Sequence, residues 1–180
     1  MTNQVLIKKA TLKDLDKFYK FFSRSIKTQF PEYSFATCRF FVEFESPKES
    51  FKKWLEKDQK LLLLATVNGK IVGYLLAASP YGGVSMANWI VVDDKYQGKG
   101  IGSKLLQEWE KEAKKQGAHK LHLWTDKRNV EFYKKRGFIY IGMVPESWFG
   151  ADDCIFFKAI GEPKEKNYLR EFLKKQKSSK

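Results

Sequence analysis

The first sixty residues carry a helical spacing of apolar side chains, after a short apolar strand, VLIKKA. Phe51, Trp54 and Leu55 predict one helix in the segment SPKESFKKWLEKD. An earlier helix over residues 12 to 27 is predicted by a face of Leu12, Leu15, Phe18, Tyr19, Phe22 and Ile26. Between the two lies KTQFPEYSFATCRFFVEFESP, an aromatic stretch with two prolines and no clean period. We expect it to form irregular helices or loops that line a pocket.

After Lys60 the spacing becomes that of strands. LLLLATV and IVGYLLAAS are apolar runs joined around Asn68-Gly69, a strong hairpin signal, and SMANWIVVDD predicts a third strand. A helical stripe then covers residues 101 to 116 and closes at Gly117. HKLHLWTD, KRNVEFYKKR, FIYIGMV and DDCIFFKAI predict a strand, a short helix and two strands. The order β-α-α-β-β-β-α-β-α-β-β predicts one α/β domain over residues 1–160, with six or seven strands and about four helices.

The last twenty residues, 161–180, differ in character from this domain. GEPKEKNYLREFLKKQKSSK predicts a basic, partly helical tail with a narrow apolar stripe of Tyr168, Leu169, Phe172 and Leu173. We expect the stripe to pack on the domain or on a second subunit, which would form a homodimer. A membrane surface or RNA are the alternative contacts.

Composition narrows the class of protein. Cys38 and Cys154 stand far apart in no metal or redox spacing, so we expect no disulfide framework, no metal site and a core position for Cys154. The N-terminus lacks the apolar core of a signal peptide, and no apolar run approaches ~18 residues. We therefore expect a cytoplasmic protein that does not enter a membrane. The net charge of +13 is spread as lysines beside glutamates, which makes a nucleic-acid partner the weaker alternative.

Three glycines in five residues open the helix over residues 101 to 116, in VVDDKYQGKGIGSKLLQEW. A Walker loop is absent, and the third glycine of a dinucleotide fingerprint falls on Ser103. Gln97-x-x-Gly100-x-Gly102, between an apolar strand and an amphipathic helix, resembles the acetyl-CoA signature of the GNAT N-acetyltransferases. Unpaired N–H groups at a helix start, with the helix dipole, attract a pyrophosphate that bare glycines allow to approach. Lys99 and Lys104 add positive charge.

Two further segments are similar to the same family. NVEFYKKRGF, residues 129 to 138, looks like its second fingerprint, and ESWFGADDCIFFKAI resembles the close of several acetyltransferases. The resemblance covers roughly residues 3 to 160 and implies a mixed central sheet. It also implies an enzyme that transfers acetyl from acetyl-CoA to a primary amine, by direct attack on the thioester. The acceptor is a protein or peptide N-terminus, a lysine or a small-molecule amine. The alternative is a non-catalytic module that binds acyl-CoA, RNA or the ribosome.

The resemblance also assigns the site residues. In the family, the strand before the glycines splays from the next strand, and the pantetheine arm of the cofactor lies between them. Tyr133 matches the tyrosine that protonates the departing thiolate. An Asn usually lies seven residues before that Tyr, but Asp126 stands there, so Asn129 is the candidate instead. The implied cofactor-binding residues are Ile90, Val91, Val92, Gln97, Gly98, Lys99, Gly100, Ile101, Gly102, Ser103, Asn129 and Tyr133.

The sequence leaves the general base open. His122 lies on a strand predicted to face the cleft, and an imidazole titrates near neutral pH. A packed histidine is the alternative reading, and we favour it because Trp124 follows on the same strand face. Glu32, Glu43, Asp93 or an ordered water are the other candidates.

The acceptor amine is also left open. We expect its selectivity to come from the aromatic segment at residues 28 to 46 and from the loop around Trp148 and Phe149. The basic charge balance disfavours polycationic acceptors, unless Glu32, Glu43 and Glu45 form a local acidic patch.

Overall fold

A seven-stranded mixed sheet forms the centre of the protein in a computed structural model that describes residues 4–178. Residues 1–3 and 179–180 of the predicted domain and tail lie outside it. The strands are β1 (Val5–Lys9), β2 (Lys60–Val67), β3 (Lys70–Ala78), β4 (Val84–Val92), β5 (Lys120–Thr125), β6 (Ile139–Val144) and β7 (Asp153–Ala159). Their order is β1-β2-β3-β4-β5-β7-β6, and only β4 and β5 pair in parallel. The predicted mixed sheet is confirmed.

Six α-helices cover the sheet and its ends within the described residues. They are α1 (Leu15–Gln29), α2 (Phe35–Phe40), α3 (Lys48–Glu56), α4 (Ile101–Lys115), α5 (Val130–Lys134) and α6 (Glu165–Ser178). The aromatic stretch predicted as irregular forms α2 and a π-helical segment, Phe41–Glu45. The Ser34 hydroxyl starts α2 because it accepts a hydrogen bond from the Thr37 N–H, at 3.2 Å.

Each face of the sheet packs against a different set of helices. Leu61, Leu63 and Ala65 of β2 join the core beneath α4, whereas Leu62 and Leu64 join the core beneath α1 and α3. This alternation follows from the two-residue repeat of a strand. Because both faces of β2 are buried, its sequence reads as an unbroken apolar run rather than as an alternating one.

The sheet opens between β4 and β5. The pairing of β3 with β4 shifts at Leu76 and Ala77, so that Asn88 of β4 has no partner across the pair. Such a bulge bends a strand and increases its twist. β4 pairs with β5 at only three positions, through residues 84–86, although β4 continues to Val92. The two strands therefore diverge and leave a V-shaped gap in the middle of the sheet.

The tail helix α6 contacts the domain through Tyr168. Its ring stacks on His119 with a centroid separation of 5.4 Å, and its hydroxyl lies 2.8 Å from His119 Nδ1. Leu169 and Leu173, two other members of the predicted stripe, are exposed, and the Phe172 side chain lies outside the described part. The tail thus packs partly on the domain, as one predicted alternative has it. The homodimer stays a prediction.

None of the helices within residues 4–178 combines the length and the apolar character needed to span a bilayer.

Candidate active site

Two glycines of the loop before α4 adopt the left-handed conformation that favours glycine. Gly98 has φ 73° and Gly100 has φ 76°. A Cβ built at either position meets no heavy atom within 4 Å, so the space beside the loop is open. A hydrogen bond ties the loop to the end of β4, because Gln97 Nε2 donates to the Val92 carbonyl at 3.1 Å. Asp93 ties its base to α1 through a 2.6 Å ion pair with Arg24.

Gly102 has a different role from the other two glycines. It lies inside α4, where a Cβ would come within 2.9 Å of Phe132 Cζ on α5. The Phe132 ring lies under the Arg136 guanidinium, whose carbon is 3.6 Å from the ring centroid, and Arg136 Nε donates to Ser103 Oγ at 2.8 Å. Gly102 therefore lets α5 pack against the first turn of α4. This packing places a cation at that turn.

The start of α4 borders a cavity of about 800 Å³, which we call the loop cavity. The first intrahelical bond runs from the Lys104 N–H to the Gly100 carbonyl, at 3.1 Å. The N–H groups that precede Lys104 in the first turn have no carbonyl acceptor within the helix. The residues predicted for this turn and loop that line the cavity are Gln97, Gly98, Gly100, Ile101, Gly102 and Ser103.

Predicted Lys99 is not among the residues that line the loop cavity. Its Nζ turns back to donate to the Lys95 carbonyl at 3.0 Å. Arg128 and Arg136 line the cavity instead. Arg128 pairs with Glu32 and Asp126, whereas Arg136 pairs with no carboxylate of the described chain. The sequence analysis missed Arg136, because the basic residues before Gly137 indicate only the end of a short helix.

The gap beside β4 exposes backbone groups of two predicted residues. The Asp93 N–H donates to the Val72 carbonyl of β3 at 2.9 Å, and Val91 stands opposite Tyr74 of β3. Because alternate residues of a strand direct their N–H and C=O groups to opposite edges, those of Ile90 and Val92 face the gap. The backbone groups of Val91 face β3 instead, and its side chain is buried in the core.

At the other end of the gap lies a smaller cavity of about 350 Å³, which we call the aromatic cavity. Rings from four separate segments line it: Tyr33, Phe41, Trp89, Trp124, Trp148 and Phe149. The rings meet edge to face, with Phe41 and Phe149 at a centroid distance of 4.9 Å and Phe41 and Trp89 at 5.5 Å. The predicted selectivity segments, residues 28–46 and the Trp148 loop, both contribute to it.

The two cavities meet at Tyr133. Ile90, Asp126, Asn129 and Tyr133 line both of them. Burial, reinforced by the charge of Asp126, raises the pKa of the Tyr133 phenol, and a side-chain hydrogen bond with Thr125 opposes the shift. The phenol therefore keeps its proton at neutral pH. Asn129 is held beside it, since its Nδ2 donates to Thr125 Oγ1 at 3.0 Å and to Asp126 Oδ2 at 3.1 Å.

The predicted base candidates are distributed unequally. His122 pairs with Met86 and Phe157 across the sheet and lines neither cavity. Burial and then the charge of Lys120 lower the pKa of its imidazole. Glu43 is exposed and paired with Arg39, and Asp93 is paired with Arg24; neither residue is among those that line the two cavities. Glu32 alone among the predicted candidates lines the aromatic cavity, and partial burial raises the pKa of its carboxyl.

Comparisons with known proteins agree with this architecture. The chain is 27% identical over 146 residues to an uncharacterized N-acetyltransferase of Methanocaldococcus jannaschii, covering 73% of this chain and 59% of that relative. An acetyltransferase structure of the GNAT family from Streptococcus pneumoniae superimposes with a TM-score of 0.73 and 26% identity, covering 88% of this chain and all of that one.

A second solved structure is the PaiA N-acetyltransferase of Thermoplasma acidophilum in complex with coenzyme A. It has a TM-score of 0.74 and 23% identity, and covers 87% of this chain and 99% of that one. The family model described as acetyltransferase (GNAT) family matches residues 24–138, more than half of the chain. The chain therefore belongs to the GNAT acetyltransferase family.

Proposed function

We propose that this protein is an acetyl-CoA-dependent N-acetyltransferase that acetylates a primary amine by direct attack on the thioester. The observation that carries the proposal is the meeting of two unlike cavities at Tyr133 and Ile90. A transfer between two substrates needs separate places for each and a shared point where they react. The Thermoplasma relative, solved with coenzyme A, supports the choice of cosubstrate.

The loop cavity suits the phosphates of acetyl-CoA. Gly98 and Gly100 leave open space beside the first turn of α4, where N–H groups and the helix dipole favour an anion. Arg136 adds a guanidinium whose position is fixed by its stacking on Phe132 and its bond to Ser103. The gap beside β4 suits the pantetheine arm, because the backbone groups of Ile90 and the N–H of Val92 face it in the manner of a strand edge, while the Val92 carbonyl accepts from Gln97.

When bound, acetyl-CoA supplies an acetyl group activated as a thioester. An N–H in the gap, from Ile90 or Val92, then hydrogen-bonds the carbonyl oxygen and stabilises the negative charge that develops on it. The amine nitrogen forms its bond to the carbonyl carbon as the carbon–sulfur bond breaks. Tyr133 donates its proton to the departing sulfur, which is the role the resemblance assigns to it.

The amine must lose a proton to react, since an alkyl ammonium has a pKa near ~10.4. Glu32 is suited to receive that proton through an ordered water, because it lines the aromatic cavity and partial burial raises the pKa of its carboxyl above its ordinary value. We give His122 no role in the step, because it lines neither cavity.

The proposal is tested with the full chain by calorimetric titration of acetyl-CoA and by release of free coenzyme A in the presence of a panel of amines. We expect tight acetyl-CoA binding and release that depends on the amine. Tyr133→Phe should keep the affinity for acetyl-CoA and lower kcat about 10- to 100-fold, because only the proton donor is removed. Tyr140→Phe, a matched change outside both cavities, should leave kcat unaltered.

Two results would count against the proposal. Binding of acetyl-CoA without amine-dependent release would indicate a non-catalytic binding protein. An absence of acetyl-CoA binding would remove the assignment of the loop cavity altogether.

A further inference from the structure

The aromatic cavity has a charge opposite to that of the protein as a whole. The chain carries a net charge of +13, yet no described lysine or arginine lines this cavity. Five carboxylates line it: Glu32, Glu45, Asp126, Asp152 and Asp153. On a surface this basic, such a cavity concentrates negative potential where a ligand enters, and it favours a cation. Of the three glutamates considered for an acidic patch from the sequence, Glu32 and Glu45 line this cavity and Glu43 does not.

These carboxylates are only partly neutralised by their neighbours. Glu32 and Asp126 share one cation, Arg128, at 2.9 Å from each. Asp152, Asp153 and Glu45 form no ion pair with a lysine or arginine in the described part of the chain. Lys60 interacts with Glu45 electrostatically without forming an ion pair. Among the described residues, the cavity lining therefore has more carboxylates than cations paired with them.

Asp153 is the member of the group that points most directly to a ligand. It is only 8% exposed, and its Oδ2 is the one buried side-chain nitrogen or oxygen atom without a hydrogen-bond partner among the described residues. Buried polar atoms nearly always have a partner, because leaving one unpaired costs free energy. A bound group with N–H donors would supply what the folded chain does not.

The position of Asp153 sets the shape of that ligand. Asp153 lines the aromatic cavity only, whereas Tyr133 lines both cavities. A ligand that reacts at Tyr133 and also reaches Asp153 needs one amine at the junction and a second cation farther into the aromatic cavity. The rings of Trp89, Trp124 and Trp148 line the same cavity, where they suit an alkyl chain and attract cations by their faces.

We propose that the acceptor is a flexible aliphatic amine with at least two ammonium groups, and that Asp153 binds the ammonium that does not react. This proposal rests on the function proposed above, and it names the substrate class of the same site. Glu32, Asp126 and Glu45 supply further negative charge along the path. Asp153 selects the acceptor and takes no part in the bond changes.

The experiment compares two amines of equal carbon chain length and different charge. 1,4-Diaminobutane and butylamine are titrated calorimetrically into the full chain saturated with coenzyme A, at pH 7.5. We expect the diamine to bind at least about 10-fold more tightly, which corresponds to ~1.4 kcal/mol. Asp153→Asn should reduce that ratio to about 2 or less, with coenzyme A affinity unaltered.

A matched control separates the site from general charge. Glu43→Gln removes a carboxylate that pairs with Arg39 and does not line the cavity. This variant should keep the full preference for the diamine. Equal binding of the two amines by the wild type would overturn the proposal. A preference that persists in Asp153→Asn would overturn it as well. So would equally tight binding of a tetrapeptide that has no charged side chains.

Kinetics with acetyl-CoA distinguish this proposal from the one on which it rests. A diamine preference in binding without any acetyl transfer would overturn the proposed function and leave the cationic site standing. Acetyl transfer at equal kcat/KM to both amines would overturn the cationic site and leave the proposed function standing.

Discussion

The loop cavity and the aromatic cavity meet at one tyrosine but are built in opposite ways. The loop cavity takes about a third of its lining from one short stretch, residues 96–98 and 100–103, and it presents backbone groups, glycines and arginines. The aromatic cavity is assembled from separate segments, and it presents rings and carboxylates. One surface suits a phosphate-bearing ligand and the other suits a cation.

The two regions also differ in what holds their shape. Backbone conformation holds the loop, through left-handed glycines and the bond from Gln97 to Val92. Side-chain packing holds the aromatic cavity, through edge-to-face rings such as Phe41 and Phe149. Substitutions in the loop should therefore affect cosubstrate binding as a whole, whereas those in the aromatic cavity should change which amine is accepted.

The largest effect is expected from Gly100→Val. A branched residue is strained at φ 76°, and its side chain would enter the open space beside the first turn of α4. We expect acetyl-CoA affinity to fall at least about 100-fold, or ~2.7 kcal/mol, by calorimetric titration. Diamine binding in the aromatic cavity should change little, because Gly100 lines only the loop cavity.

Gly82→Val is a control that separates backbone strain at a positive φ from obstruction of the loop cavity by the new side chain. Gly82 also has a positive φ, 57°, with open space around it, but it lies away from both cavities. It should lose comparable stability on thermal unfolding and keep its acetyl-CoA affinity. If Gly100→Val binds acetyl-CoA as well as Gly82→Val does, the loop does not receive the phosphates.

A smaller effect is expected from Arg136→Met. Methionine preserves much of the packing on Phe132 and removes the guanidinium beside Ser103. We expect acetyl-CoA affinity to fall about 10-fold, ~1.4 kcal/mol, and the loss to shrink at high salt because the interaction is between charges. Arg39→Met, at an exposed arginine paired with Glu43, is the control and should not alter affinity. An unchanged affinity in Arg136→Met would assign phosphate binding to the backbone alone.

The smallest effect concerns the stability of the unliganded protein. Asp153→Asn replaces a buried carboxyl group whose Oδ2 has no hydrogen-bond partner, so we expect the free energy of unfolding in urea to rise by about 1 kcal/mol. Asp152→Asn alters the exposed neighbour, whose carboxylate accepts from the Glu146 N–H, and should change stability by less than about 0.5 kcal/mol. A loss of stability in Asp153→Asn would show that the carboxylate supports the fold, and its case as a ligand site would weaken.

Features that depend on near neighbours could be predicted from the sequence. Asn68 and Gly69 take the left-handed conformations of the expected hairpin turn, with φ 50° and 75°, between strands that pair as predicted. The glycines before α4 could be identified for the same reason, since one short segment contains the whole signal. The strands and helices followed from apolar spacing, because each element buries one face or both.

For the irregular segment between α1 and α3, the sequence predicted a position beside a pocket but not the secondary structure. Its rings follow no helical or strand period, because they pack on partners from other elements, such as Trp89 of β4 and Phe149 after β6. Local spacing carries no information about such partners. Only the folded chain shows α2 and the π-helical segment, which place Phe41 in the cavity lining.

The tertiary structure alone decided which charged groups meet. Glu43 and Glu45 are two residues apart, yet Glu43 pairs with Arg39 outside while Glu45 lines the aromatic cavity. The bulge at Asn88 parts β4 from β5, which opens the gap between the cavities and leaves His122 outside both. The sequence by itself determined the elements and the loop, because these depend on local backbone preferences. The aromatic cavity depends on contacts between residues more than a hundred positions apart, and those exist only once the sheet has formed.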